Sequence, residues 1–285
     1  MTLARDPSAL ARDPDEGVTY TLITCHFGDP FWISHMLAHV QKFSDSRIAR
    51  ILVVDQSRVS SRMLSRLPGV SEVLTFAADS DQRAAHGHDH AHALNRAVRS
   101  IDESTTHVLI MDSDCFPVRS DWLDHLRPTT LARDPRAPEL SHPCLMSFPA
   151  MFVPQIDFAE GLSECIFDTG RAIARQLRQA GDLVWMAKPE SAFAGLRGHR
   201  YLQGSVYHHG SASFLHSDDP RVRGQVRPVR EQVFQQAIAE GRFHLTGRDL
   251  ARIGRHEPLR TARWVGKAAF GHRVRSTGAH RTGEY

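Results

Sequence analysis

Short apolar segments rich in β-forming residues alternate with amphipathic segments through the first 111 residues, and this alternation constrains the fold most strongly. The predicted strands and helices follow one another at Val18–Cys25, Pro30–Phe43, Ile48–Val54, Val70–Phe76, about His90–Ile101 and His107–Met111. Only the second and the fifth of these segments have helical spacing. Strands that alternate with helices form a mostly parallel sheet with helical crossovers. We therefore predict an α/β fold with a doubly wound sheet.

The second half is less regular. The pattern favours strands at Leu145–Phe148 and Leu183–Ala187, and helices at Thr169–Ala180, Arg230–Ala239, Gly247–Ile253 and Thr261–Phe270. The string Leu-Ala-Arg-Asp-Pro occurs at 3–7 and again at 131–135. Because proline and aspartate favour turns, we interpret both copies as loops.

Charge and composition suggest three parts. Residues 1–17 have the alternating charge and proline of a disordered leader, and 18–220 form the predicted α/β domain, in two halves at about 18–127 and about 128–220. Residues 221–285 hold 14 Lys or Arg against 5 Asp or Glu, a net charge of +9 within a chain of +3. We expect this basic, helical C-terminal extension either to be a solvated face or to make peripheral contact with an anionic membrane, and not with nucleic acid.

Apolar segments and cysteines bear on the compartment. No apolar run approaches the roughly 20 residues that span a bilayer. The four cysteines form no Cys-x-x-Cys pair, which favours reduced thiols over a disulfide framework. We expect a cytoplasmic protein, at the inner face of the membrane where the extension docks.

The predicted strand His107–Met111 runs directly into Asp112-Ser113-Asp114. Two carboxylates one residue apart at the end of a buried strand offer adjacent oxygen ligands, which Mn²⁺ or Mg²⁺ prefers. Such an ion neutralises charge on a departing diphosphate. A turn or a helix cap is the alternative role for an Asp-x-Asp pair.

Several motifs, in this order and spacing, resemble bacterial glycosyltransferases of family 2, which have the GT-A fold. The first strand ends in Thr24-Cys25-His26 and the second in Asp55-Gln56-Ser57. The remaining motifs are Leu94-Asn95-Arg96-Ala97, the Asp112-to-Pro117 segment, Trp122-Leu123 and His208-His209-Gly210-Ser211. The resemblance covers about 18–215 and implies that 18–220 is the catalytic domain, with a donor half at about 18–127 and an acceptor half at about 128–220. It implies a metal-dependent transferase that moves a sugar from a nucleoside diphosphate sugar to a hydroxyl or amine of a small-molecule or glycan acceptor, with inversion.

The resemblance also implies residue roles. Asp112, Asp114 and His208 are the expected metal ligands, with His209 as the alternative to His208. The expected donor-binding residues are Thr24, Cys25, His26, Asp55, Asn95, Arg96, Asp112 and Ser113. The structural alternatives are a strand-end histidine for His208, strand capping for Asp55, and a packed helix face for Asn95 and Arg96.

An inverting transferase needs a carboxylate that accepts the proton of the attacking hydroxyl. The family's usual Glu-Asp dipeptide is missing here, which leaves Asp157, Glu160, Glu164 and Asp168 as candidates. We select Asp168, which precedes Thr169-Gly170 and has helix capping as its alternative role.

Three other functions were weighed. The stretch from His86 to His92 resembles the zinc motif of metallo-β-lactamase-like hydrolases but is one residue short. A GT-A-like nucleotidyltransferase would carry a basic, glycine-rich loop after the first strand, where this chain has Cys25-His26-Phe27-Gly28-Asp29-Pro30. A catalytically inactive nucleotide-sugar-binding protein is the third alternative. The apolar segments at 143–148 and 151–154 either line the acceptor pocket or belong to the core.

Overall fold

A computed structural model of the chain contains a central seven-stranded mixed sheet. The structure describes residues 17–27, 30–56, 61–76, 86–135, 137–160, 169–170, 172–192, 196–210 and 227–256. Within them the strands are β1 Tyr20–His26, β2 Ile48–Asp55, β3 Glu72–Thr75, β4 His107–Met111, β5 Cys115–Pro117, β6 Thr130–Arg133, β7 Ser141–Pro149, β8 Trp185–Ala187, β9 Glu190–Ser191, β10 His199–Tyr201 and β11 Val206–His208.

The large sheet has the order β3-β2-β1-β4-β7-β6-β8. Its first four strands are parallel, β7 runs antiparallel to β4 and β6, and β8 is parallel to β6. A smaller antiparallel sheet has the order β5-β11-β10-β9. Four of the six pairings in the large sheet are therefore parallel, as the sequence predicts.

The helices cover both faces of the large sheet. They are α1 Pro30–Phe43, α2 Ser61–Leu64, α3 His86–Val98, α4 Ile173–Gln179, α5 Pro228–Ala239 and α6 Gly247–His256, with single 3₁₀ turns at Leu123–His125 and Ala150–Gln155. Successive residues of β1 belong to opposite faces: Leu22 packs in the core cluster that contains α1, and Ile23 packs in the cluster that contains α3 and α4. This two-sided core confirms the predicted GT-A-like, Rossmann-type α/β class.

The first helix illustrates how the sequence specifies these elements. Pro30 occupies the first helical position, where its missing N–H costs no hydrogen bond. Trp32, Ile33, Met36, Leu37 and Val40 then form one buried stripe at helical spacing. The predicted bounds of α1 and of β4 coincide with the observed ones.

The interpretation of 131–135 as a loop is wrong for this copy of the repeat. Strand β6, Thr130–Arg133, lies between β7 and β8, and Leu131 is fully buried. Four residues carry too little periodicity to indicate a strand, and β6 depends on pairing with two partners elsewhere in the chain. The other copy, at 3–7, lies outside the described residues.

Helix α4 begins later than the sequence predicts. Gly170 has a left-handed φ of +77°, which is incompatible with a right-handed helix, and helical geometry starts only at Ile173. Asp168, the expected cap, lies outside the described residues.

Two helices fall within the basic extension, as predicted. Phe234 and Ile238 of α5 are buried in the same apolar cluster as α1 and β4. The division at residue 220 stays a prediction, and the predicted helix Thr261–Phe270 lies outside the described residues. None of the helices among the described residues has both the length and the apolarity to cross a membrane.

Strand order determines where a site can form. From β1 the chain continues through β2 and β3 on one side, and then returns to place β4 on the other side. The strand order therefore reverses between β1 and β4, and open α/β sheets bind ligands in a crevice beyond the carboxyl ends of the strands at such a reversal. His26 ends β1 and Asp112 follows β4, so both lie at this crevice.

Candidate metal and donor site

A tight turn presents Asp112 and Asp114 at the end of β4. The N–H of Cys115 donates to the Asp112 carbonyl at 2.9 Å, and the N–H of Asp112 donates to the Cys144 carbonyl of β7 at 3.2 Å. Asp114 is buried, and the side chain of Asp112 is about a quarter exposed, at 23%. The turn thus holds one carboxylate within the protein and the other at the crevice.

His208 is brought to this turn by the small sheet. It ends β11, where it lies opposite Cys115 of β5. Its Nε2 is 3.5 Å from Asp114 Oδ1 and 3.8 Å from Asp112 Oδ2. Ligands bound at about 2.1 Å to one octahedral ion are about 3 Å apart. His208 therefore needs to approach each aspartate by less than 1 Å to occupy a position next to it on one divalent cation, and the ligand atoms of all three residues lie within 4.8 Å of one another.

The electrostatics of His208 agree with this geometry. Burial of the ring opposes its protonation, but its hydrogen bonds to Cys144 and Asp114, with the negative charge of Asp114, outweigh that effect and raise the pKa of His208 well above its ordinary value. A cation is thus favoured beside the two carboxylates, and in the protein alone the imidazolium supplies it. A bound metal ion would displace that proton, since a histidine ligand must be neutral.

A second group of ligand atoms shares His208. His142 and Cys144 of β7 lie with it inside a 4.8 Å range. However, the N–H of Cys144 donates to Nδ1 of His142 at 3.1 Å, so the neutral His142 ring carries its proton on Nε2 and offers no lone pair there. Burial raises the pKa of Cys144 to about 12, which keeps the thiol protonated. The oxygen-rich group with Asp112 and Asp114 is the better metal site.

The histidine-rich stretch contributes His90 to the same crevice. Its Nε2 lies 4.0 Å from Asp112 Oδ1, opposite the side that faces His208. Burial lowers the pKa of His90 more than the neighbouring Asp112 raises it, so the ring is neutral at pH 7. The side chains at 86–89 lie outside the described residues.

The neighbouring His209 points away from the two aspartates. Its ring is fully buried, and its Nε2 lies 3.1 Å and 3.2 Å from the two carboxylate oxygens of Glu231 in α5. Adjacent residues of an extended chain point to opposite sides. The structure therefore favours His208 over His209 as the metal ligand.

The predicted donor residues at the ends of β1 and β2 are buried. Thr24, His26 and Asp55 are each at most 1% exposed, and Cys25 lies at the limit of burial. His26 and Asp55 are opposite each other in the β1–β2 pairing. Burial and the charge of Asp112 raise the pKa of Cys25, which places this thiol beside the candidate metal site. Their contacts with a donor stay predictions.

Two predicted donor residues on α3 have structural partners. Asn95 donates from Nδ2 to Asp157 at 2.7 Å, and its Oδ1 accepts the N–H of Phe158 at 3.0 Å. Arg96 is exposed and donates to the Thr75 carbonyl at 3.3 Å. Ser113 lies within the turn between the two aspartates. Donor contacts of all three stay predictions.

The proposed base, Asp168, lies outside the described residues, as does Glu164. Asp157 accepts hydrogen bonds from Asn95 and from the N–H of Ala159. Glu160 accepts from Arg175 at 2.6 Å and also from Gln176. The two carboxylates that are described thus hold the segment against α3 and α4, and the identity of the base stays a prediction.

Three residues near the site were not assigned from the sequence. Cys144 belongs to the segment 143–148, which the sequence assigns to the acceptor pocket or the core, His142 precedes that segment, and Glu231 belongs to the predicted extension. A lone histidine or glutamate carries no periodic signal that distinguishes it from a surface residue. His90 belonged to a recognisable motif, but its spacing did not select it among the four histidines of that stretch.

The fold is similar to several solved structures at low identity. A glucosyl-3-phosphoglycerate synthase from Mycobacterium tuberculosis, in complex with Mn²⁺, UDP and glucosyl-3-phosphoglycerate, has a TM-score of 0.39 and 14% identity over 51% of this chain and 62% of that chain. For a 4-diphosphocytidyl-2C-methyl-D-erythritol synthase from Anaerococcus prevotii the TM-score is 0.42 and the identity 9%, covering 63% of this chain and 91% of that one. No family model and no curated protein matches the sequence. These similarities concern the fold alone.

Proposed function

We propose that this protein is a metal-dependent glycosyltransferase that uses a nucleoside diphosphate sugar. The observation that carries the proposal is the convergence of Asp112, Asp114 and His208 at the crevice between β1 and β4. Two carboxylate oxygens and one imidazole nitrogen suit Mn²⁺ or Mg²⁺, and the exposed edge of Asp112 leaves room for phosphate oxygens. A bound ion would neutralise the charge that develops on the leaving diphosphate.

The chain's own residues would divide the remaining work. Asp114 and His208 are buried and hold fixed positions, whereas Asp112 and His90 face the crevice where the donor's diphosphate would lie. His90, neutral at pH 7, would donate a hydrogen bond to a phosphate oxygen without competing for the metal. Asp168 is proposed as the base that accepts the acceptor's proton, with inversion at the sugar.

The decisive experiment is a thermal-shift screen with four nucleoside diphosphates, each with Mn²⁺ or with EDTA. UDP, GDP, dTDP and CDP are compared on wild type, Asp114→Asn and Asp124→Asn. Asp124 is a matched control because its carboxylate is exposed and contacts Arg47 on the surface. A ligand that binds only the folded state stabilises it by about 2.7 kcal/mol when its concentration is 100 times its dissociation constant. The thermal midpoint of unfolding rises accordingly.

One nucleotide should stabilise wild type and Asp124→Asn only with Mn²⁺, and Asp114→Asn should lose this effect. Stabilisation that persists in EDTA or in Asp114→Asn contradicts the metal centre. The four corresponding nucleoside triphosphates are screened in the same way, and a response to a triphosphate but not to its diphosphate would favour a nucleotidyltransferase. Binding without sugar transfer to any acceptor would favour an inactive binding protein.

Peripheral membrane contact through residues 221–285 is part of the proposal. Vesicles with anionic lipid should retain the full-length protein at low ionic strength and release it at about 0.5 M salt. Equal binding to neutral vesicles, or none at low salt, contradicts it. Deletion of 221–285 is a poor test, since it removes the core residues Phe234 and Ile238.

A further inference from the structure

A buried polar network joins the C-terminal helix α5 to the strand that ends in His208. Glu231, in the first turn of α5, is 1% exposed. Its carboxylate contacts Nε2 of His209 at 3.1 Å and accepts from Arg197 Nη2 at 3.1 Å. A buried carboxylate is costly unless it is paired, so these contacts account for its tolerance within the core.

His209 is held on every side. Its Nδ1 lies 3.0 Å from the Tyr207 hydroxyl, and that hydroxyl donates to the Arg197 carbonyl at 2.5 Å. The ring also stacks on Trp32 of α1 at 4.4 Å and meets Phe234 of α5 edge-on at 5.5 Å.

The backbone of this residue connects the network to the metal site. The N–H of His209 donates to the Asp114 carbonyl at 3.0 Å, and the preceding residue is His208. A fixed His209 ring therefore holds the peptide bond to His208 in place. Through the N–H of His209 it also holds the backbone carbonyl of Asp114. A shift of His209 would change the 3.5 Å separation between His208 Nε2 and Asp114 Oδ1.

We propose that Glu231 is a positioning residue of the metal centre, acting through His209 to hold His208 against Asp114. The inference rests on the proposed function, because it requires that the site bind a metal. The proposal makes α5, which lies in the region predicted as a C-terminal extension, part of the structure that supports the candidate metal site. Partners behind metal ligands typically change metal affinity 10–100-fold when they are removed.

The test measures the Mn²⁺ dissociation constant by electron paramagnetic resonance of free Mn²⁺, at a temperature where every variant is folded. Glu231→Ala should weaken Mn²⁺ binding at least tenfold. Glu231→Gln should stay within about threefold, because the amide can donate to His209 Nε2 and its oxygen can accept from Arg197. Glu240→Ala is the control, since Glu240 is exposed at the end of the same helix.

His209→Phe covers the case in which Glu231→Ala does not fold. It keeps an aromatic ring against Trp32 and Phe234 but removes both polar contacts, and it should also weaken Mn²⁺ binding at least tenfold. Lower melting temperatures with unchanged Mn²⁺ affinity would overturn the proposal and leave a purely structural role. If Glu231→Gln and Glu231→Ala weaken Mn²⁺ binding equally, the negative charge of Glu231 determines the affinity, and the proposed positioning role is overturned. Absence of Mn²⁺ binding in wild type refutes the proposed function itself.

Discussion

His35 on α1 offers a stability test that does not involve the candidate site. Its ring stacks on Phe31 at 5.6 Å, contacts His39 at 4.3 Å and meets Phe116 of β5 edge-on at 4.8 Å. Burial, and then the neighbouring His39, lower the pKa of His35 from 6.5 to about 4. The folded protein therefore disfavours a proton that the unfolded chain binds readily.

The direction of the pH effect follows from linkage. Above pH 6.5 the ring is neutral in both states and its contribution to stability is fully present. As the pH falls from 6.5 towards 4, the unfolded chain takes up a proton and the folded protein does not, so the free energy of unfolding decreases. The whole shift corresponds to about 3.4 kcal/mol at about 1.36 kcal/mol per pKa unit. Because the ring is only half-buried, we expect about 1–2 kcal/mol to be lost between pH 7 and pH 5.

The assay is urea unfolding of wild type and His35→Gln at pH 7 and pH 5. The variant should lose about 1–2 kcal/mol less than wild type over this interval, because glutamine does not titrate. The comparison cancels the histidines that are distant from His35, because the substitution does not alter their titration. An identical pH dependence of the two proteins would refute the reasoning.

Three further predictions concern packing and backbone. Gly198→Ala should lower the free energy of unfolding in urea by about 3 kcal/mol and abolish Mn²⁺ binding, because a Cβ there would lie 2.0 Å from the His208 carbonyl oxygen. Gly241→Ala is the control, since a Cβ there would meet open space. With a φ of +69°, it should lower the free energy of unfolding by only about 1 kcal/mol. Asn95→Ala should cost about 2 kcal/mol by the same assay, since it leaves the Phe158 N–H without its acceptor. Phe234→Ala should cost about 3–4 kcal/mol and lower the thermal midpoint, and a loss below 1 kcal/mol would mean that α5 is not part of the core.

Local patterns in the sequence were sufficient for α1 and for the four parallel strands β1 to β4. Helix α1 and strand β4 were predicted with their observed bounds, because each buries a stripe or a run of apolar residues that repeats at the period of its own backbone. The position of Asp112 and Asp114 follows from the same information, since the strand they terminate is continuous in sequence. Nothing beyond neighbouring residues was needed.

The short strands after residue 127 depended on distant partners. Strand β6 has four residues, and β9, β10 and β11 have two or three, which is too short for a periodic signal. Strand β11 pairs with β5, some 90 residues earlier in the chain. Their stability comes from these pairings and from burial, which the sequence does not express locally.

The sequence by itself determined that two carboxylates follow a buried strand and that histidines occur late in the chain. The family resemblance favoured His208 over His209, and only the tertiary structure gives the physical reason for that choice. His208 and His209 are adjacent and chemically identical, but an extended backbone directs one towards Asp114 and the other towards Glu231. The small sheet fixes that choice through its register, and α5 supplies the buried carboxylate that satisfies the second ring. Register and helix docking are properties of contacts between distant segments, so no local pattern records them.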